Sequence, residues 1–371
     1  MDRLELYKKI GELKDEMTPD ERMQKYLKGE EVDCVPYGLL APDDAMAHIW
    51  GYTRGDMMRS FDLRCEIIRR KKEQYGFTGL SASMGLRGIA EVAGSVMFYP
   101  EESSDYVQEY CMKTYDSLGS IEPFSLIRGS ELVKRKLDEI SKMKEIFPEM
   151  GVSTDVAGPI STAIAMRPVE NVLRDVRREP EKLHQLMDYC VECSLEWVKL
   201  FCEQMGSCSV GISDPVTTTD ILGMKYFKEF SKPYLIKLFE GIKRISGNNP
   251  SLHICGHTRK IWNDLMEIGV DNFSLDNCED MREAKEVMGE RVFLSGNVAP
   301  VQVMRNGTID DVIGAVKEVL KKCADSPCGH MLLTGCQLPI GTSQENIDAF
   351  IYAARTYGRG ARMGRMPKGM E

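Results

Sequence analysis

No apolar run in this chain approaches the roughly 20 residues that a membrane-spanning helix needs. The first residues, "MDRLELYKKIGELKDEM", contain no apolar core segment of the kind an export signal carries; they are charged and helical in period. An excess of basic charge is missing as well. Lys and Arg number 48 against 57 Asp and Glu, a net of −9. That balance suits a soluble protein and argues against a large nucleic-acid footprint. Without an export signal, the 12 cysteines are expected to be reduced thiols in the cytoplasm, most of them small buried hydrophobes. Any that act should stand among other kinds of ligand.

What is present is enough for a sizeable core: 43% of the 371 residues are hydrophobic. That length fits two average domains, or one barrel. Near the start, "MTPDERMQKYLKGEEVD" carries helix-boundary chemistry. Thr18 can cap, Pro19 suits the first helical position, Glu21 completes a capping box and Gly29 can end the helix. Short β-rich runs then recur at 34–40, 77–83, 151–158, 208–214, 251–256, 272–277, 292–298 and 331–336. The segments between the later runs read as amphipathic helices. One, from Pro180, places Leu183, Met187, Cys190, Ser194, Val198, Phe201 and Met205 on one stripe. Strand–helix alternation implies a parallel sheet. Eight such strands predict an α/β fold, a closed (β/α)₈ TIM barrel forming one domain over residues 1–371, with an N-terminal helical segment at 1–33. Residues 84–150 are too long for one helix and are expected to elaborate the barrel mouth. The basic, glycine-rich tail at 355–371 is expected to be disordered or partner-dependent.

In such barrels the working residues lie at the C-terminal ends of the strands. His253 and Cys255 end the fifth run and, two apart, share one side of it. Taken alone, a His-x-Cys pair in a strand is more often core packing than a ligand pair. Cys336 ends the eighth run, and one imidazole with two thiolates would leave an open fourth position on a tetrahedral zinc, as catalytic sites require. Asp214, at the end of the fourth run, is a candidate for an extra oxygen ligand or for a partner of a ligand. Other clusters compete. Cys190 and Cys193 fall inside a helix and are expected to be core. Cys323, Cys328 and His330 precede the last strand, at the end of a barrel associated with stability. His257 is either a support for the site or merely exposed, His48 could border the mouth, and His184 is expected on a helix surface.

At this point the sequence resembles a family, the uroporphyrinogen decarboxylase-like barrels, and within them the zinc-dependent cobamide methyltransferase branch, including methylcobamide:coenzyme M methyltransferases. "MTPDERMQKYLKGEEVDCVPYG", "ISDPVTTTDILGMKYFKEFSKPYL", "LHICGHT", "VDNFSLDN", "VFLSGNVAP" and "TGCQLPIGTSQENI" follow in family order and cover nearly the whole chain. Decarboxylases carry an arginine-rich "MRQAGRY"-type segment after the first strand, where this chain reads "GLLAPDDAMAHIWGYTRGD", and a "GHG"-like turn where it reads "TGCQ". The branch's zinc motif maps onto His253, Cys255 and Cys336. Asp214 and Asp276 are the carboxylates to which the resemblance gives a catalytic role. Ala299, in "GNVAP", stands where the family often has an acid, a departure that puts any role of that acid in doubt. The resemblance implies methyl transfer between a corrinoid and a small substrate on zinc. No "DxHxxG"-type cobalamin segment is present, so the corrinoid is expected on a separate corrinoid protein. Neither nucleic acid nor membrane is expected as a partner.

Overall fold

The computed structural model describes every residue except Lys14, Thr78, Glu102, Ser207 and Thr219. In chain order its strands are β1 (Val32–Cys34), β2 (Gly79–Ser81), β3 (Val96–Phe98), β4 (Tyr106–Glu109), β5 (Gly151–Ala157), β6 (Ser209–Ser213), β7 (Ser251–Ile254), β8 (Asn272–Leu275), β9 (Phe293–Val298), β10 (His330–Thr334) and β11 (Arg359–Ala361). The chain divides into two units, Gly79–Val270 and Met1–Thr78 with Asp271–Glu371. Thr78 of the second β-rich run, Thr219 of the "VTTTD" stretch and Glu102 of the 84–150 segment lie outside the described residues.

Within Gly79–Val270, β2, β5, β6 and β7 pair side by side, all parallel. Parallel neighbours require crossovers, and helices supply them. Glu131–Ile146 leads into β5, Pro180–Met205 into β6 and Lys232–Ser246 into β7. The long helix buries Leu183, Met187, Cys190, Ser194, Val198 and Phe201 as the stripe predicts, while Met205 is half-buried. Its Trp197 donates from Nε1 to Thr154 Oγ1 on β5 at 2.8 Å. Strand side chains alternate in direction. Thr154, Val156, Val210, Ile212, Leu252 and Ile254 are therefore the helix-facing, buried set. The 84–150 segment is not a single extra layer. It holds the antiparallel hairpin β3–β4 and two short helices, and it ends in the crossover helix Glu131–Ile146.

In the other unit, β8, β9 and β10 are parallel neighbours, with helices Met281–Met288 and Ile309–Cys323 between them. The first β-rich run is shorter than expected. Only Val32–Cys34 forms a strand, and it pairs antiparallel with β11. Tyr37 makes a single parallel bridge to Leu332. Pro36 is part of the reason, since it has no N–H to give a ladder. The Thr18–Glu21 capping box forms, and the helix Pro19–Leu27 stops before Gly29, whose φ is 72°.

The tail expectation is corrected. Residues 355–371 are not a disordered extension among the described residues. Arg359–Ala361 forms β11, Arg362 Nε donates to Gly29 O at 2.6 Å, and Lys368 pairs with Glu31. Composition missed this because each of these partners lies more than 300 positions away in sequence. No helix among the described residues is long and apolar enough to cross a membrane.

Candidate functional site

β7 ends at Ile254, which places His253 in its last turn of pleat and Cys255 just beyond it. The alternation of a strand sends both side chains to the face opposite buried Leu252 and Ile254. There His253 Nε2 lies 3.2 Å from Cys255 Sγ, and both residues are half-buried. Gly256 follows with φ 77°, a left-handed turn that suits glycine. A Cβ there would come within 3.2 Å of Thr218 Oγ1. His257 is exposed, and its Nδ1 meets Asp220 Oδ2 at 2.8 Å.

Asp214 follows β6 directly. Its backbone N–H donates to His253 O at 2.9 Å, extending the β6–β7 ladder by one bond past the Ser213–His253 pair. The side chain is fully buried. Ser161 Oγ donates to Oδ1 at 2.5 Å and Thr217 Oγ1 to Oδ2 at 2.6 Å. Burial pushes the carboxyl up to about 6, against the lowering effect of these hydrogen bonds. Both oxygens are thus held by hydroxyls with no exposed surface, and the backbone bond ties Asp214 to the strand end carrying His253.

The other unit carries Asp276 and Cys336. Asp276 is the first residue after β8. Its Oδ1 accepts the N–H of Cys278 at 3.1 Å, and its carbonyl accepts from Asn297 Nδ2 at 2.9 Å. Cys336 stands two residues past β10, half-buried, after Gly335. A Cβ on Gly335 would come within 2.5 Å of Asn277 N, so this turn tolerates no side chain there.

The rival clusters resolve differently. Cys190 and Cys193 are fully buried in their helix, and burial pushes the Cys193 thiol up to about 12. Cys323 is likewise buried and pushed up to about 12, while His330 gives Nε2 to Gly296 O at 3.1 Å. His48 is exposed in the helix Asp43–Ile49. His184 is half-buried, stacked on Phe230 and 2.7 Å from Tyr234 OH. A carboxylate–thiol group at Asp15, Asp33 and Cys34 is already filled by the Arg22 guanidinium, which binds both acids.

Sequence reasoning missed Ser161, Thr217 and Gly158. The first two gave a faint signal, as hydroxyl residues just after strands, Thr217 three positions past Asp214 in a turn. Gly158 gave none, because its φ of −62° is ordinary and only the packing of Asp214 requires it.

Comparison with known proteins bears on this arrangement. The family model for uroporphyrinogen decarboxylase (URO-D) matches residues 18–357. Methylcobamide:CoM methyltransferase MtbA of Methanosarcina mazei is 24% identical over 350 residues, covering 92% of this chain and 99% of its own. Methylcobamide:CoM methyltransferase MtaA of Methanosarcina barkeri is 24% identical over 358 residues, with coverage of 92% and 99%. The chloroplastic uroporphyrinogen decarboxylase 2 of Arabidopsis thaliana is 24% identical over 269 residues, covering 72% of this chain and 61% of its own. Among solved structures, a methyltransferase from Methanosarcina mazei matches with a TM-score of 0.77 at 23% identity, over 91% of this chain and 98% of that one. The last match shows a shared α/β fold.

Proposed function

Because the chain belongs to the uroporphyrinogen decarboxylase (URO-D) family, we propose that it is one of the family's methyltransferases rather than a decarboxylase. It moves a methyl group between a corrinoid, delivered by a separate corrinoid protein in the cytoplasm, and a small substrate held on zinc. The observation that carries this reading is the pair at the end of β7, His253 Nε2 and Cys255 Sγ, 3.2 Å apart on one face. Imidazole and thiolate are ligands zinc takes, and the His-x-Cys spacing lets one strand end supply both. The relatives named as methylcobamide:CoM methyltransferases support it over nearly full length. The region after the first β-rich run, which lacks clustered arginines, speaks against a porphyrinogen's many carboxylates.

In this reading Cys336 is the third ligand, and residues 1–371 form a closed (β/α)₈ barrel. Zinc, when bound, acts as a Lewis acid that favours the deprotonated form of a substrate thiol. His253 and Cys255 would hold the ion at the end of β7 and so set where a substrate thiol meets it. Asp276, at the end of β8, is the carboxylate assigned to orienting the substrate, and Asp214 holds the strand end beneath His253. The substrate sulfur then attacks the methyl carbon. The new S–C bond forms as the carbon–cobalt bond breaks, and its electron pair stays on cobalt, turning methylcobalt(III) into cobalt(I). Alignment of sulfur, carbon and cobalt is what the protein contributes to the rate.

The test is a spectroscopic one. Purified protein, methylcobalamin and CoM should give the absorption of cob(I)alamin under anaerobic conditions, and removal of zinc by a chelator should abolish it. Decarboxylation of uroporphyrinogen by metal-free protein would refute the methyltransferase reading.

A further inference from the structure

Behind the β7 strand end lies a chain of buried hydroxyls that the reaction itself does not use. Ser161 opens the helix Pro159–Met166 after β5, Asp214 follows β6, Thr217 closes the short turn Pro215–Thr217, and Ser231 ends the segment Phe227–Ser231. All four are buried, none more than 3% exposed. Ser161 Oγ lies 2.5 Å and Thr217 Oγ1 2.6 Å from the Asp214 carboxylate, and Thr217 Oγ1 is 2.5 Å from Ser231 Oγ. A hydroxyl has one proton to give. If Thr217 donates to Asp214, Ser231 must donate to Thr217, and the order of the chain is fixed as Ser231 to Thr217 to Asp214. Phe227–Ser231 is a π-helical turn, an irregularity that recurs at functional positions. The far end of the chain is not a side chain but the backbone bond from Asp214 N to His253 O.

We infer that Thr217 and Ser231, with Ser161, are positioning residues for the ligand His253, acting through Asp214. This rests on the zinc reading above. The physical reason is geometric. The carboxylate has no freedom of its own, being clamped on both oxygens in a site without water-exposed surface. Its backbone N–H is therefore fixed, and with it the carbonyl of the residue whose imidazole must face the metal. Taking away the Thr217 hydroxyl leaves Asp214 Oδ2 and Ser231 Oγ without their shared partner in the core. Either the carboxylate turns or the loop after β6 shifts, and both move the peptide behind His253. Residues that orient a ligand in this way typically alter metal affinity by about 10–100-fold when lost.

The experiment uses the full-length protein and zinc itself. Zinc affinity is measured by competition with a chromophoric chelator, the ligand geometry by the visible spectrum of the cobalt(II)-substituted protein, and folding by thermal melting. Thr217→Val should weaken zinc by about 10-fold or more and shift the cobalt bands, Ser231→Ala should act in the same direction, and Thr217→Ser should restore both. Thr154→Val is the comparison. It removes two buried hydrogen bonds, with Trp197 and with Ala82 O, neither of them part of the hydroxyl chain, and should lower the melting temperature while leaving zinc affinity unchanged. The inference alone is overturned if Thr217→Val and Ser231→Ala melt lower but keep wild-type affinity and cobalt spectrum. Absence of tight zinc binding in the wild-type protein, or its persistence in Cys255→Ala, overturns the zinc reading and this inference together.

Discussion

The side chain of Asp214 occupies the space over Gly158 that any other residue would need: a Cβ built on Gly158 would stand 2.0 Å from Asp214 Cγ and 2.2 Å from Oδ2. Gly158 follows β5 directly and has an ordinary backbone shape, so this glycine is kept for volume, not for φ. The consequence is a close stack of two strand ends, with the carboxylate lying against bare backbone and reaching Ser161 just beyond it.

Gly158→Ala should therefore be among the costlier small substitutions in the chain. Overpacking against a fixed neighbour typically costs about 1–3 kcal/mol, and here the neighbour is a clamped carboxylate that cannot retreat without losing its hydroxyl partners. Urea unfolding should show this loss. Gly11→Ala, in an exposed helix with nothing within 4 Å of the added carbon, should instead be neutral or gain up to about 1 kcal/mol. If both behave alike, the stack is not as tight as described.

The strand ends that hold the candidate ligands are legible in the sequence because burial on one side of a parallel sheet forces short apolar runs, and alternation then fixes which residues share a face. That is why the spacing alone pairs His253 with Cys255. Seven of the eight expected runs became strands in parallel pairs, while the run at 34–40 gives only the single parallel bridge of Tyr37 to Leu332. The hydroxyl chain is illegible for a different reason. Ser and Thr occur everywhere on loops, and only the three-dimensional meeting of 161 and 217 at one acid, with 231 behind 217, distinguishes them. The tail misleads because glycine and arginine are read as solvent-loving, whereas Arg362 and Lys368 find partners near residue 30.

The acid limb of stability should depend on His330. This imidazole is completely buried, gives Nε2 to Gly296 O, and leaves Nδ1 with no hydrogen-bond partner among the described residues. Burial lowers it from 6.5 to about 4, with the Gly296 carbonyl and the charge of Asp325 opposing. Between those values the unfolded chain binds a proton that the folded chain refuses, so stability falls as pH falls from about 6.5 to 4 and levels off below. The contribution between pH 7 and 5 is about 2 kcal/mol. Asp214 and Asp348, both raised to about 6 by burial, work the opposite way in part of that window. They are common to wild type and variant and cancel in the comparison. His330→Gln, whatever it costs at pH 7, should show a flatter loss between pH 7 and 5. An unchanged slope would mean that His330 protonates without hindrance.

A buried guanidinium should matter more than any surface ion pair. Arg22 is 2% exposed and grips Asp33 with two bonds, Nε to Oδ1 at 2.7 Å and Nη2 to Oδ2 at 2.8 Å, while also reaching Asp15. Arg355 reaches Asp15 from the last long helix. Arg22→Met takes the guanidinium from Asp33 and leaves Asp15 with Arg355 alone, a loss of about 3–5 kcal/mol. Lys134→Met breaks an exposed pair with Glu131 and should cost far less. Denaturation midpoints for the two variants test the ranking, and equal losses would show that the Arg22 group is solvated in solution.

The sharpest prediction separates ligand cysteines from packed ones. Cys255→Ser and Cys336→Ser should each remove most of the zinc from purified protein, since replacing one thiolate by a hydroxyl leaves a soft-ligand site incomplete. Cys190→Ser and Cys323→Ser should keep about one zinc per chain. Their thiols are completely buried and held protonated by their surroundings, so they have neither the charge nor the access a ligand needs. They should instead lose stability, because a hydroxyl in place of a packed thiol is a buried polar group seeking a partner. The two classes thus move two different observables, metal content for one and melting temperature for the other. Metal analysis and melting curves on all four variants decide the matter. Retention of zinc in Cys336→Ser alone would make the third ligand some other residue, while equal zinc loss across all four would mean that the strand-end position confers nothing.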